Sequence, residues 1–266
     1  MTAHVKRSSR ESLIRHIEAL GVAPGDDVVV HSRLISFGVI EGDAPAVVLD
    51  ALRSVVGSSA TIAAPTYVFA DQPDAIYEAA TTPSTAAGVF SEHVRTRDGA
   101  VRSASPVHSH AAIGPKAELL TRSPETASFG PGSDFEILKD AGFKLVLLGC
   151  LFSQGATYLH HLEAVANAPY REWVVSKKRV RDADGGVRTV DLRYFARRDA
   201  AWAEDFDKVV PGLIEDGVVI AAPAHYGRSF AAHLPRLDAA GRDLLEADPF
   251  AFVSPTGDAP GAPAQA

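Results

Sequence analysis

The sequence predicts an α/β fold in which a central mixed sheet is flanked by helices and carries an inserted β-hairpin. Short apolar runs, typical of buried strands, alternate along the chain with segments of helical periodicity. Two strand-like runs flank a turn at 182–186, which predicts the hairpin. The length of 266 residues and the hydrophobic content of 46% fit one domain at 1–253, followed by a disordered tail at 254–266.

The predicted elements follow from local patterns. Apolar, β-branched runs bounded by turn residues predict strands at 27–31, 60–64, 111–113, 145–150, 173–181, 187–195 and 218–221. End signals support the helices: Ser8 or Ser9 caps the first, Gly57 closes the second, and a capping-box pattern begins at Ser133. Amphipathic periodicity predicts helices at 11–20, 45–56, 86–95, 133–141, 157–163, 203–215 and 239–247.

Composition and charge exclude several classes of function. The formal net charge of -7 leaves no basic footprint for nucleic acid. No stretch approaches the roughly 18 consecutive apolar residues of a membrane span, and no signal-peptide core follows the basic residues at 6–10. A single cysteine fits a reducing compartment. We therefore expect a cytoplasmic protein, monomeric or homo-oligomeric, without a nucleic-acid or membrane partner.

One motif indicates chemistry through its spacing. The apolar strand at 145–150 is followed by a short turn at 152–155 and by a helix that contains His160 and Glu163. Residues three apart on a helix share a face, so Glu163 is placed to orient the His160 imidazole. A histidine oriented by a carboxylate acts as a general base near neutral pH. Open α/β sheets bind ligands beyond their strand ends, where this pair falls.

Three polar loops lie next to predicted elements, at 31–38, 102–110 and 129–133. The first two supply hydroxyls and an arginine, and the third leads into a helix N-terminus, which attracts anions. Together they predict the binding of a phosphorylated or pyrophosphate-bearing molecule. The sequence contains neither a GxGxxG fingerprint nor a P-loop, so a Rossmann or Walker-type site is not indicated.

In their order and spacing, these motifs resemble the aminoglycoside 3-N-acetyltransferase family, which depends on coenzyme A and is distinct from the GNAT acetyltransferases. The resemblance runs from about residue 8 to about residue 230. The stretches that carry it are 31–38, 64–66, 82–84, Arg102-Ser103 with Pro106 and Ser109, 129–133, Thr157 with His160 and Glu163, and 169–171.

The resemblance implies direct acyl transfer from acetyl-CoA, or another acyl-CoA, to an amine, without a metal. It implies that His160 is the catalytic base and that Glu163 orients it. The implied coenzyme A ligands are His31, Ser32, Arg33, Leu34, Ser36, Phe37, Gly38, Arg102, Ser103 and Ser109. The residues assigned to acceptor binding are Thr66, Tyr67, Asp71, Thr157 and His225, the last of which otherwise lies in an exposed loop.

The chain departs from the antibiotic-modifying members at three points. Ala156 stands where they carry Asn, and Ser105 where they carry His. The segment 67–82 is shorter than theirs and holds only Asp71, Asp74 and Glu78 as acids. A polycationic aminoglycoside favours several carboxylates. These departures favour the short family members that acylate an amino sugar or another small biosynthetic amine.

Other readings of the same residues stay open. His108, His110, His160 and Glu163 form the donor set of a metal-dependent hydrolase, since imidazole and carboxylate suit zinc or iron. A non-catalytic relative with the same fold is a further alternative. Cys150 is either a nucleophile or a small buried side chain. His161 points away from His160 and is predicted to be structural.

Overall fold

The computed structural model describes residues 5–69, 75–198 and 200–256. Its α-helices are α1 (Arg10–Ala19), α2 (Ala44–Val56), α3 (Gly88–Arg95), α4 (Asp134–Asp140), α5 (Phe152–Gly155), α6 (Tyr158–Ala166), α7 (Val210–Glu215) and α8 (Leu234–Ala247). Short 3-10 helices occupy Leu34–Phe37, Ala117–Arg122 and Phe206–Val209. Within the described ranges, no helix is long and apolar enough to cross a bilayer.

The strands of the described residues form four sheets. In chain order they are β1 (Arg7–Ser8), β2 (Val28–Ser32), β3 (Val39–Ile40), β4 (Ile62–Pro65), β5 (Ile76–Tyr77), β6 (Val101–Arg102), β7 (His110–Ile113), β8 (Lys144–Leu148), β9 (Arg171–Arg181), β10 (Val187–Arg197), β11 (Trp202–Glu204), β12 (Val219–Ala224), β13 (Gly227–His233) and β14 (Val253–Pro255). The largest sheet has the order β12-β13-β8-β2-β4-β7-β6.

This seven-stranded sheet is mixed. At its centre β2 is parallel to both β8 and β4, and the remaining pairs are antiparallel. The central strands are buried on both faces, as is typical of parallel strands covered by helices. Along β2, Val28 and Val30 pack into one core cluster and Val29 into another. This alternation confirms the predicted α/β class, with helices on both faces of the sheet.

The predicted hairpin is present. Strands β9 and β10 pair in antiparallel register from Arg171↔Arg197 to Val187↔Arg181, and β5 joins β9 in parallel. The structure thus forms a separate three-stranded sheet, whose buried residues Val180 and Val190 pack with Tyr77. That the hairpin is an insertion, and that 1–253 form one domain, stay predictions.

Two predictions near the end of the chain are wrong. Residues 203–215 are not one helix, because β11, a 3-10 turn and α7 follow one another there. The tail is not disordered from 254 onward, since β14 pairs with β11 and Thr256 N–H donates to Ala201 O at 2.8 Å. Residues 257–266 lie outside the described part. Strand β13, between β12 and β8, was not predicted.

The predicted capping box at Ser133 does not form either. The Ser133 hydroxyl donates backward to Gly130 O at 2.7 Å, and Glu136 accepts from Gly132 N–H at 2.6 Å. The loop at 129–133 therefore closes on itself. Two of its amides already have side-chain acceptors, Glu136 for Gly132 N–H and His161 Nδ1, at 3.2 Å, for Gly130 N–H, so the predicted anion site at this helix start is not supported.

Candidate active site

The site lies where β8 turns into α5 and α6. Gly149 adopts φ +73, and a Cβ there would stand 2.6 Å from Ser36 Cβ, so the turn favours glycine. The predicted turn at 152–155 is the short helix α5. Helix α6 follows at once and ends on Asn167, which is left-handed at φ 53. This tight route brings α6 back over the carboxyl end of β8.

His160 and Glu163 face each other on α6, as predicted. Their Nδ1 and Oε2 atoms are 2.6 Å apart, and Glu163 is 0% exposed. The buried carboxylate is held from two further sides: Tyr170 donates its hydroxyl to Oε1 at 2.8 Å, and Arg171 Nε lies 2.7 Å from Oε2. Glu163 is therefore fixed, and it fixes the imidazole in turn.

His160 also contacts a second carboxylate, which the sequence analysis did not predict. Glu204 on β11 places Oε2 3.1 Å from His160 Nε2. Arg171 Nη2 also lies near His160 Nδ1, at 2.9 Å, and near Glu204, at 3.9 Å. The sequence predicts a helix at 203–215, which gives Glu204 no role in the site. Glu204 is also 44 positions from His160 in the sequence, so no local pattern indicates this contact.

The surroundings raise the pKa of His160 above its ordinary value. Burial acts to lower it, but hydrogen bonds with Glu163 and Glu204 together outweigh burial. The same contact works in reverse on Glu204: burial acts to raise the pKa of its carboxyl, and the bond to His160 prevails and lowers it. Both directions describe one favourable imidazolium–carboxylate interaction.

His160 opens onto a cavity of about 510 Å³ at the carboxyl ends of the parallel strands. Residues at the ends of β2, β4 and β8 form its floor, which is the expected ligand position in an open α/β sheet. The lining residues are His31, Ser32, Arg33, Pro65, Tyr67, Phe69, Ala86, Ala87, Gly88, His108, Cys150, Gln154, Thr157 and His160.

Three other titratable groups of this lining are neutral at neutral pH. Burial lowers the pKa of His31 and of His108 to about 3 each, with smaller effects from neighbouring histidines. Burial raises the pKa of Cys150 to about 12. A thiol that keeps its proton is a poor nucleophile, which favours the reading of Cys150 as a small buried side chain.

The structure separates the residues of the 31–38 loop. His31, Ser32 and Arg33 line the cavity, as a role in ligand binding requires. Leu34 packs against the core behind the sheet, which also contains Phe37. Ser36 is fully buried and donates to Gly149 O at 2.6 Å, and Gly38 forms the turn beyond. These last four residues hold the loop in place and do not line the cavity.

The predicted coenzyme A ligands around Arg102 have structural partners instead. The Arg102 guanidinium donates to Thr66 O at 2.6 Å, to Thr82 O at 2.5 Å and to the hydroxyls of Thr66 and Ser109. Ser103 is fully buried and donates to Asp134 at 2.6 Å. Every guanidinium nitrogen of Arg102 is therefore already used. None of the cavity-lining residues is Arg102, Ser103, Ser109 or Thr66, the last of which was predicted to bind the acceptor.

Of the other residues predicted to bind the acceptor, some line the cavity and some do not. Tyr67 and Thr157 line the cavity. His225 does not: it lies in a separate shallow depression, and its Nε2 is 3.0 Å from Arg7 O. Asp71 lies outside the described residues. His161 is fully buried beside Phe135 and Tyr158 and has a structural place.

The metal-site alternative is not supported by the geometry. Across residues 5–69, 75–198 and 200–256, no group of three or more His, Cys, Asp or Glu side chains is arranged to hold a metal ion. His110 is committed to Asp134, with Nδ1 2.9 Å from Oδ2. His160 is committed to two carboxylates of its own.

The fold and the site define an α/β enzyme in which a carboxylate-bound histidine faces a cavity at the strand ends. The family model of aminoglycoside 3-N-acetyltransferases matches residues 29–246. The chain therefore belongs to the aminoglycoside 3-N-acetyltransferase family, as the motifs indicated.

Known proteins agree with this assignment. Aminoglycoside N(3)-acetyltransferase VIII of Streptomyces fradiae is 34% identical over 252 residues, which cover 82% of this chain and 86% of that protein. The solved structure of AAC-IIIb with CoASH has a TM-score of 0.80 at 25% identity and covers 94% of this chain and 100% of its own. A mutant of AAC(3)-IVa in complex with apramycin has a TM-score of 0.76 at 26% identity, over 92% and 95%.

Proposed function

We propose that this protein transfers an acetyl group from acetyl-CoA to an amine of an aminoglycoside or a related amino sugar. The observation that carries the proposal is His160, held between Glu163 and Glu204 on the wall of the cavity. Family membership supplies the reaction class, and a relative solved with CoASH supports the donor. The relatives' names support an aminoglycoside as acceptor.

The chemistry proceeds by direct transfer. Neutral His160 removes a proton from the acceptor ammonium, and the free amine attacks the thioester carbonyl carbon. The C–S bond of the tetrahedral intermediate then breaks, and coenzyme A leaves as a thiolate that takes a proton from the imidazolium. The new amide nitrogen loses its extra proton to solvent, so one proton is released per turnover. The buried, protonated Cys150 supports a route without an acyl-enzyme.

Charge at the cavity supports separate places for the two substrates. Arg33 is the exposed cation of the lining and lies at the mouth, where it suits the phosphates of coenzyme A. Glu204 does not line the cavity itself, but it is 24% exposed and contacts His160, so it suits the acceptor ammonium. The acceptor preferred by the sequence departures, a smaller amine, stays a prediction. Cytoplasmic location and homo-oligomerisation also stay predictions.

A thiol-release assay tests the proposal. Acetyl-CoA and longer acyl-CoA donors are each combined with aminoglycosides, monosaccharide amino sugars and simple amines. We expect release with acetyl-CoA and an amine-bearing sugar, together with an acetylated product of matching mass. The proposal is wrong if the folded protein binds coenzyme A but releases no thiol with any amine, or if it does not bind coenzyme A.

The pH dependence of this reaction tests the role of Glu204. Because the base must be neutral, kcat/KM is expected to rise with pH through the raised pKa of His160. Glu204→Gln removes one of the interactions that raise this pKa, so the acid limb moves to lower pH. Profiles between about pH 5 and pH 9 measure the shift. Glu215→Gln, at an exposed helix end, is the matched control, and an unmoved limb in Glu204→Gln contradicts the assignment.

A further inference from the structure

A second histidine–carboxylate pair lies behind the cavity wall. His110 and Asp134 are both almost fully buried, and Nδ1 stands 2.9 Å from Oδ2. The same Oδ2 accepts from Ser103 Oγ at 2.6 Å and from His110 N–H at 2.8 Å. Three donors converging on one carboxylate oxygen make a fixed anchor in a region of low dielectric. This pair has no place in the acyl-transfer chemistry described above.

The anchor determines the tautomer of His110. A carboxylate oxygen only accepts, so the proton of the Asp134 contact resides on His110 Nδ1. In the neutral imidazole Nε2 is then an acceptor. It lies 3.4 Å from the hydroxyl of Tyr67, and the two rings meet edge-on with centroids 5.5 Å apart. Over this long contact, the phenol is placed to donate its proton inward, to His110.

Tyr67 connects the His110–Asp134 pair to the cavity, because it contacts His110 and lines the cavity. Its side chain is 4% exposed and lines the same cavity as His160 and Thr157. The rings of His31 and His108 stand at 6.2 Å and 5.2 Å from it and limit its movement. Burial raises the pKa of Tyr67, an effect that contact with Thr157 partly offsets, so the phenol keeps its proton.

We propose that Asp134 and His110 position the Tyr67 hydroxyl, so that its oxygen lone pairs face the cavity and accept a hydrogen bond from the acceptor amine. Without the pair, the hydroxyl would rotate and present either its proton or its lone pairs. With the proton directed at His110, only lone pairs remain for the ligand. The amine is thereby aligned for attack with one N–H on Tyr67 and another on His160.

The inference rests on the proposed function, because it needs an amine acceptor. It adds two positioning residues, His110 and Asp134, that touch no substrate. A phenylalanine at 67 would fill the same space, and a buried apolar pair would avoid desolvation of the charge on Asp134. The inferred role of the polar pair is to orient the Tyr67 hydroxyl.

Three variants test this positioning. Tyr67→Phe removes the hydroxyl and keeps the ring, and His110→Asn keeps a donor for Asp134 but loses the nitrogen facing Tyr67. We expect each to raise KM for the acceptor about tenfold, with little change in KM for acetyl-CoA. In the double variant the effect stays about tenfold, because His110 acts only through the Tyr67 hydroxyl. Multiplied effects, or a folded His110→Asn with unchanged acceptor KM, overturn the proposal.

A spectroscopic readout separates this inference from the proposed function. In protein labelled with ¹⁵N-histidine, we expect His110 to carry its proton on Nδ1, and its Nε2 resonance to move in Tyr67→Phe. A proton on Nε2 overturns the positioning even if acetyl transfer is confirmed. The expected spectrum without turnover of any amine removes the proposed function and the role in amine alignment together. Tyr226→Phe, at an exposed tyrosine away from the cavity, is the matched control.

Discussion

Replacing His160 with alanine is expected to lower kcat/KM by about a thousandfold while leaving coenzyme A binding intact. General acid–base catalysis contributes about 10² to 10⁴ in rate, and His160 is the base of the proposed reaction. Its imidazole is 20% exposed toward the cavity, between two carboxylates and against the edge of Phe206. Removal leaves the cavity walls in place, so the loss falls on kcat rather than on donor affinity.

Thiol release at saturating acetyl-CoA measures this loss, and titration calorimetry with coenzyme A measures binding. His93→Ala, on α3 and outside the cavity lining, is the matched histidine control and is expected to keep full activity. Activity of His160→Ala within about tenfold of the original protein would remove His160 from the role of base.

Replacing Glu163 with glutamine is expected to reduce both stability and activity. Glu163 is wholly buried and balances Arg171, which is itself only 9% exposed. Loss of its charge leaves a buried guanidinium whose other carboxylate, Glu204, is 3.9 Å away. Breaking a buried ion pair from one side costs about 3–5 kcal/mol of unfolding free energy. Because the glutamine no longer holds the imidazole firmly, kcat/KM should also fall, by about a hundredfold or more.

Urea denaturation at an unchanged m-value measures the first effect, and thiol release the second. Glu172→Gln, one residue beyond Arg171 in sequence and exposed, is the matched control and should leave the midpoint where it is. Glu163→Gln combined with Arg171→Met removes both charges and should recover part of the lost stability. A single Glu163→Gln variant as stable as the original would show that Arg171 does not depend on this carboxylate.

Local signals predicted the centre of the fold well. Strands β2 and β8 consist largely of valine and leucine. These side chains are buried on whichever face of the sheet they lie. The end signals of α1 and α2, Ser9 and Gly57, stand at the caps. The small sheet of β11 and β14 was not predicted, because each of these strands is three residues long and gains its stability from pairing with the other.

The site shows the same division between local and distant contacts. His160 and Glu163 lie three residues apart on one helix, so their spacing sufficed to predict the pair. Glu204 and Arg171 approach from other elements, and only the assembled fold brings them to the imidazole. Arg102 illustrates the converse: a cation next to a serine-rich loop suggested phosphate binding, but each of its guanidinium nitrogens bonds a backbone carbonyl or a hydroxyl of the protein.

The pairing of β11 with β14 makes the site depend on residues that are translated after His160, both of its carboxylates and every residue that lines the cavity. Phe250 stacks on Trp202 with centroids 4.3 Å apart and lies 5.6 Å from Tyr170, which holds Glu163. Asp205 N–H bonds Phe252 O at 3.0 Å, directly beside Glu204. A nascent chain that has emerged only as far as residue 249 thus contains His160 and both of its carboxylates, yet lacks the strand that sets one of them. The ribosome must deliver residues 250–255 before the arrangement around His160 is complete.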